Sequence, residues 1–120
     1  MPDTILIIDD EAAIRETLSG ILGDEGFTPL AAGSAEEGLQ LLDEKDVDLV
    51  LLDIWLPGMD GLEGLGIIRQ RFAHLPVIMI SGHGTVETAV QATRMGAFDF
   101  IEKPLSYDKT VLAIRKGLEV

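Results

Sequence analysis

The sequence predicts an α/β domain of the (βα)5 type, a three-layer sandwich in which a parallel five-stranded sheet of order 2-1-3-4-5 carries helices on both faces. Three observations lead to this prediction. Short apolar runs alternate with stretches of helical periodicity along the chain, without linker, repeat or low-complexity segment, and such alternation builds a parallel sheet through right-handed crossovers. Two of the runs, Ile5 to Ile8 and Leu49 to Leu52, are apolar at every position, as strands covered on both faces must be, so they are central. A third run, Thr28 to Ala31, is short, opens on a polar residue and contains Pro29, which cannot donate to a ladder and belongs on an edge. A length of 120 residues, 47% of them hydrophobic, accommodates one such domain over residues 1–120, with its own core and no need of a disulfide or structural metal.

The elements follow in order. Thr4 to Ile8 is the first strand and runs into Asp9 and Asp10. Ile14, Leu18, Ile21 and Leu22 then recur at helical spacing, with Gly26 as the stop. After the Thr28 strand, Ser34 and Glu37 have capping-box spacing ahead of Ala35, Leu39 and Leu42, which share a helix face. The third strand, Asp48 to Asp53, is followed by a loop with turn signals at Pro57 and Gly58 and by the stripe Leu62, Leu65, Ile68 and Phe72. Pro76 opens the fourth strand, which ends at Ser81, and Thr85 caps a helix expected to carry Val86, Ala89 and Val90 inward before Gly96. The last strand, from Phe98, ends in Lys103-Pro104, and Val111, Ile114 and Leu118 mark a final helix.

Composition excludes several functions. The chain has no cysteine, so disulfides, thiol catalysis and thiolate metal sites are ruled out. Its aliphatic runs fall far short of the ~18 residues of a spanning helix, and Asp3, Asp9, Asp10 and Glu11 stand where a signal peptide needs basic and apolar segments. The expectation is a soluble, cytoplasmic protein without a membrane partner. The formal charge is −12, from 21 acidic and 9 basic residues. Such a surface repels phosphate backbones, so no direct binding of nucleic acid by this chain is expected.

Parallel packing brings all the strand endings to one edge, where open α/β sheets bind ligands. Asp9, Asp10, Asp53, Ser81 and Lys103 would meet there. Carboxylates on neighbouring strands lie ~5 Å apart, and at an effective dielectric of ~20 each like-charged pair costs roughly 3 kcal/mol. A divalent cation supplies the compensation. Oxygen ligands without Cys or His select a hard ion, and a small open site suits Mg²⁺ or Mn²⁺. Asp53 can be both ligand and nucleophile, since aspartate attacks phosphorus to form an aspartyl phosphate. Protein and metal then mainly position the phosphoryl group and neutralise its oxygens, with Mg²⁺ on one, Lys103 on another, and the Ser81 hydroxyl with the Gly82 N–H on a third.

The whole chain resembles the receiver domain of two-component response regulators, for five motif positions occur in the family's order. The resemblance implies the flavodoxin-like fold. It makes Asp53 the phosphoacceptor, Asp10 a direct Mg²⁺ ligand, Asp9 a ligand through water, and the backbone carbonyl of Trp55 the third protein ligand. Ser81 becomes the switch hydroxyl, Phe100 the switch aromatic and Lys103 the phosphate-binding lysine, with a cis Lys103-Pro104 bond. The partners implied are a sensor histidine kinase and an output domain or protein at the face of helix 4, strand 5 and helix 5, with a homodimer as a further possibility. Such a domain is a signalling element, not an enzyme, although it promotes its own phosphorylation and slow dephosphorylation.

The stretches Ser81-Gly-His-Gly84 and Asp99-Phe-Ile-Glu-Lys-Pro-Leu105 further resemble receivers of the NtrC and NtrX branch, which precede an ATPase domain and a helix-turn-helix domain in sigma-54-dependent activators. The chain ends with its last helix, which fits an excised receiver or a natural single-domain regulator; excision is the expectation. Helix 4, with small apolar anchors and the Gly82-His-Gly84 loop ahead of it, is expected to shift more readily than helix 1. Trp55 is expected to shield the acyl phosphate from water, while His83 and His74 are read as solvent-facing. The rivals are weaker. A flavin or nucleotide binder shares the sheet order, but Asp9-Asp10-Glu11 repels phosphate after strand 1. The glycines Gly61, Gly64 and Gly66 follow no strand closely and read as a helix start. An aspartyl-phosphate phosphatase would need an acid where Trp55 stands. A phosphorylation-independent interaction module stays open.

Overall fold

The computed structural model describes residues 2–119. Strands and helices alternate as β1 (Thr4–Ile8), α1 (Ala12–Asp24), β2 (Thr28–Ala32), α2 (Ala35–Glu44), β3 (Leu49–Asp53), α3 (Gly61–Arg71), β4 (Val77–Ser81), α4 (Val86–Arg94), β5 (Asp99–Glu102) and α5 (Tyr107–Leu118). All neighbouring strands pair in parallel, in the order β2-β1-β3-β4-β5. The wholly apolar strands are central, and β2 with its proline is an edge. Asp48 falls just outside β3, yet it fixes the lower end of the sheet, accepting from the Thr4 N–H at 2.7 Å through its carboxylate and donating its own N–H to the Thr4 carbonyl at 2.8 Å.

The period of two along each strand divides the core into two layers. Leu6, Ile8, Val50, Leu52, Val77 and Met79 face α2, α3 and α4. Ile5, Ile7, Leu49, Leu51, Ile78 and Ile80 face α1 and α5, where they meet Leu18, Leu22, Ala113 and Ile114. Register brings Ile7 beside Leu51, Leu51 beside Ile78, and Ile80 beside Ile101, so the sheet is level at the edge where its carboxyl ends emerge.

Four helices begin on a side-chain cap of the expected kind: Ser34, Asp60, Thr85 and Ser106 accept from Glu37, Glu63, Thr88 and Lys109 N–H groups respectively. Glu37 returns only half of a capping box, accepting from the Gly33 N–H at 3.2 Å. Gly26 and Gly96 follow α1 and α4 with φ of 84° and 101°, the left-handed region that lets a chain leave a helix.

The inward face of α4 differs from the expected one. Val86 and Val90 are 81% and 42% exposed, and the buried residue is Ala92, flanked by half-buried Thr88, Ala89 and Met95. The stripe 88-92-95 faces the sheet, where small side chains permit a close approach. Among the described residues no helix is long and apolar enough to cross a membrane.

Candidate functional site

The carboxyl edge of the sheet gathers the acidic groups. Asp9 leaves β1 fully buried, Asp53 closes β3 at 3% exposure, and Asp10 points outward. One carboxylate oxygen from each lies within 4.8 Å of the others. Lys103, from the turn after β5, brings its Nζ to 2.9 Å from Asp9 Oδ2, 3.2 Å from Glu11 Oε1 and 3.6 Å from Asp53 Oδ2. Ser81 closes β4 and is buried, its Oγ accepting from the His83 N–H at 3.1 Å. The Trp55 N–H donates to Asp53 Oδ1 at 3.3 Å. Gly82 lies along the Lys103 stem, since a Cβ there would be 3.7 Å from Lys103 Cδ. Asp9, Asp10, Asp53, Trp55, Ser81, Gly82 and Lys103 are thus at this edge or against it, whereas Phe100 lies within β5, beside Met79 and facing α4. The Lys103-Pro104 bond is cis, the Trp55 ring is half exposed, and His83 and His74 face solvent.

Charge in the crevice is unbalanced. Burial raises the pKa of Asp53, the charge of Asp9 adds to the effect and Asp10 contributes further, while Lys103 and the Trp55 N–H oppose it. Burial would lower Lys103, but its pairings with Asp9, Asp53 and Glu11 outweigh this and raise it, so it stays an ammonium. Lys103 pairs with three carboxylates, those of Asp9, Glu11 and Asp53, while Arg15 donates to the Asp9 carbonyl at 2.9 Å. Asp9 Oδ2 is buried without a hydrogen bond, because the Lys103 ammonium is within ion-pair reach but off the hydrogen-bonding direction. Three carboxylates whose oxygens lie within 4.8 Å of one another, an all-oxygen donor set without Cys or His, fit a small hard cation such as Mg²⁺.

Two glycines have roles that sequence reasoning missed. A Cβ on Gly61 would fall 2.0 Å from the Asp53 carbonyl oxygen, and the Gly61 N–H donates to the Ile54 carbonyl at 2.8 Å. Helix α3 therefore starts directly against the backbone that carries Asp53, and only glycine fits. Gly84 leaves room for Phe100, whose ring edge would lie 2.5 Å from an added Cβ, with Ser81 Cβ at 3.6 Å. The glycine spacing was visible in the sequence, but not what each glycine would face.

The match to known proteins covers the same residues. The model of the response regulator receiver domain matches residues 5–115. The chain belongs to the response regulator receiver domain family. An NtrX-like response regulator of Rickettsia bellii is 52% identical over 118 residues, 97% of this chain and 25% of the relative. The nitrogen assimilation regulatory protein NtrX of Azorhizobium caulinodans is 46% identical over 99% of this chain and 27% of its own length. The DNA-binding transcriptional regulator NtrC of Escherichia coli is 37% identical over 95% and 24%. The chain therefore spans about a quarter of the length of these curated relatives. Among solved structures, the receiver domain of Brucella abortus NtrX superimposes with a TM-score of 0.92 at 47% identity, over 97% of this chain and 98% of that one. The beryllofluoride-activated NtrC4 receiver dimer gives 0.92 at 37% identity, over 97% and 96%. The receiver is thus of the NtrX and NtrC type, a signalling domain of two-component transcription regulators.

Proposed function

We propose that this receiver accepts a phosphoryl group on Asp53 from a sensor histidine kinase and converts it into a changed surface at α4, β5 and α5. The observation that carries the proposal is the buried Asp53 carboxylate at a strand end, sharing one crevice with Asp9, Asp10 and Lys103. An oxygen of Asp53 attacks the phosphorus of the kinase phosphohistidine; the P–O bond forms as the P–N bond breaks, and the histidine nitrogen leaves with its electron pair. Asp10, Asp53 and the Trp55 carbonyl, with Asp9 through water, would hold Mg²⁺ or Mn²⁺, which supplies neutralising charge to the phosphoryl oxygens. Lys103 binds another oxygen as a point charge. Ser81, released from the His83 N–H, donates its hydroxyl to the third, beside the Gly82 N–H. Slow loss of phosphate to water follows, since Trp55 stands where a general acid would be needed for rapid turnover.

Ser81 and Phe100 carry the change outward. The Phe100 ring borders a groove of about 500 Å³ that Val86, Val90, Arg94 and Glu102 also line, so movement of Ser81 and of the ring alters that groove directly. This face would serve an output domain, a partner protein or a second copy, as the NtrC4 receiver dimer suggests. Nucleic-acid binding would belong to other segments of a longer regulator, because this chain carries a charge of −12. We assign residues 1–120 to one receiver domain working in the cytoplasm.

Intact mass after incubation with Mg²⁺ and acetyl phosphate tests the proposal. One added phosphoryl group, absent in Asp53→Asn, is expected. No addition, where a control receiver is labelled, would favour an interaction module that works without phosphorylation.

A further inference from the structure

We propose that Glu11 is a positioning residue: it holds Lys103 at the mouth of the crevice and competes with the phosphoryl group for that ammonium. The inference rests on Asp53 being the phosphoacceptor, and it adds a residue that the acceptor chemistry does not require.

Glu11 breaks a local pattern. It is the N-cap of α1, yet it alone among the five helix N-caps makes no side-chain cap hydrogen bond. The side chains that cap well are Ser, Thr, Asp and Asn; glutamate is longer, so Glu11 does not commit its carboxylate to the helix start. Its backbone N–H donates to Asp9 Oδ1 at 2.9 Å and its carbonyl accepts from Ile14 and Arg15, so the main chain is fixed while the side chain reaches across to Lys103 Nζ at 3.2 Å. A carboxylate whose backbone is fixed by Asp9 and whose side chain pairs with Lys103 is placed to act on that ammonium.

The three partners of Lys103 are not equivalent. The side chains of Asp9 and Asp53 are 0% and 4% exposed, whereas that of Glu11 is 60% exposed. Of the three carboxylates around the ammonium, only that of Glu11 takes a hydrogen bond from it. A phosphoryl oxygen on Asp53 brings a further acceptor to the same ammonium and competes with them for it. Glu11 is the partner that leaves most easily, because water solvates its freed carboxylate, whereas the buried aspartates would be left without compensation. Until it leaves, Glu11 holds one of the ammonium's N–H donors.

Length separates positioning from simple charge. Glu11→Asp keeps the negative charge but is one methylene too short for Lys103 and well suited to cap α1. Glu11→Gln keeps the length and loses the charge. In the metal-free protein, the Cε–Hε resonances of Lys103 should shift in both variants. With saturating Mg²⁺, both should lower the half-saturating acetyl phosphate concentration by about two- to fivefold, the range an exposed ion pair supports. First-turn amides of α1 should gain exchange protection in Glu11→Asp alone. Unchanged Lys103 resonances in both variants would overturn the proposal, and so would a Glu11→Asp protein that behaves as wild type while Glu11→Gln does not, since Glu11 would then act by charge alone. Should wild type take no phosphoryl group at all, the acceptor reading fails and with it the competition, whereas the Lys103 resonances still report whether Glu11 holds that side chain.

Discussion

Helices α1 and α4 lie on opposite faces of one sheet and are held very differently. Helix α1 buries Leu18, Ile21 and Leu22, and its C-terminal end is tied to α5 through Glu25, which accepts from Tyr107 Oη at 2.8 Å and pairs with Arg115 at 3.0 Å. Helix α4 buries Ala92 and leaves Val86 and Val90 in solvent. Its attachment is one-sided as well. The Arg69 guanidinium, from α3, donates to the carbonyls of Gly96, Phe72 and Leu75, which fastens the chain just beyond the C-terminal end of α4. The N-terminal end follows the glycine-flanked loop from Ser81. The loosely held end of the loosely held helix is therefore the one nearest the site, so a small displacement of Ser81 meets little resistance there and a large one at α1.

Removing core volume tests that difference at its largest. Leu18→Ala should cost about 2–5 kcal/mol, whereas Val90→Ala should stay within about 0.5 kcal/mol; urea unfolding of the two variants gives both numbers. A large loss at Val90 would mean that α4 is anchored as firmly as α1.

Next in size is the cost of the acidic crevice itself. The raised pKa of Asp53 means that the folded state holds its proton more tightly than the unfolded chain. The stability associated with this group is present below the unfolded pKa and is lost as pH rises through the folded one. Asp53→Asn should therefore stabilise the protein at neutral pH by about 1–2 kcal/mol, since repulsion of roughly 3 kcal/mol per carboxylate pair is partly offset by Lys103. The gain should shrink as pH falls through the carboxylate range. Denaturant midpoints at several pH values would measure it, and a pH-independent difference would contradict the electrostatic origin.

Gly84→Ala probes the contact that joins the site to α4. Its Cβ would need the space of the Phe100 ring edge, and an aromatic ring can swing aside more cheaply than a backbone can move. The expected cost is about 1 kcal/mol, with shifted ring resonances of Phe100 and faster amide exchange in residues 86–94 of the unphosphorylated protein. Unaltered Phe100 resonances would show that Gly84 does not hold the ring.

Much of this was legible in the sequence because two periodicities and a few breakers settle the topology. The apolar strands around Leu6 and Leu51 had to be central, Pro29 put β2 on an edge, and strand endings in a parallel sheet had to share one side. The inward face of α4 was not legible. Val86 and Val90 are the larger apolar residues, but the helix presents Ala92 to the sheet instead, so hydrophobicity alone misreads the face. Gly61 and Gly84 were visible as residues, yet their need for glycine comes from the Asp53 backbone and the Phe100 ring, contacts distant in sequence or made by loop geometry. Glu11 was read only as part of the acidic Asp9-Asp10-Glu11 segment, because its reach to Lys103 spans the sheet edge.

Hydrogen exchange of the protein with and without acetyl phosphate, in Mg²⁺ and beside Asp53→Asn, tests the central claim most directly. Protection should change most in residues 83–96, greatest toward the Thr85 end and fading toward Gly96, with residues 12–24 unaffected and the Asp53→Asn protein unresponsive. Equal protection of residues 83–96 in both states of a protein shown by mass to be phosphorylated, or a change centred on α1, would contradict it.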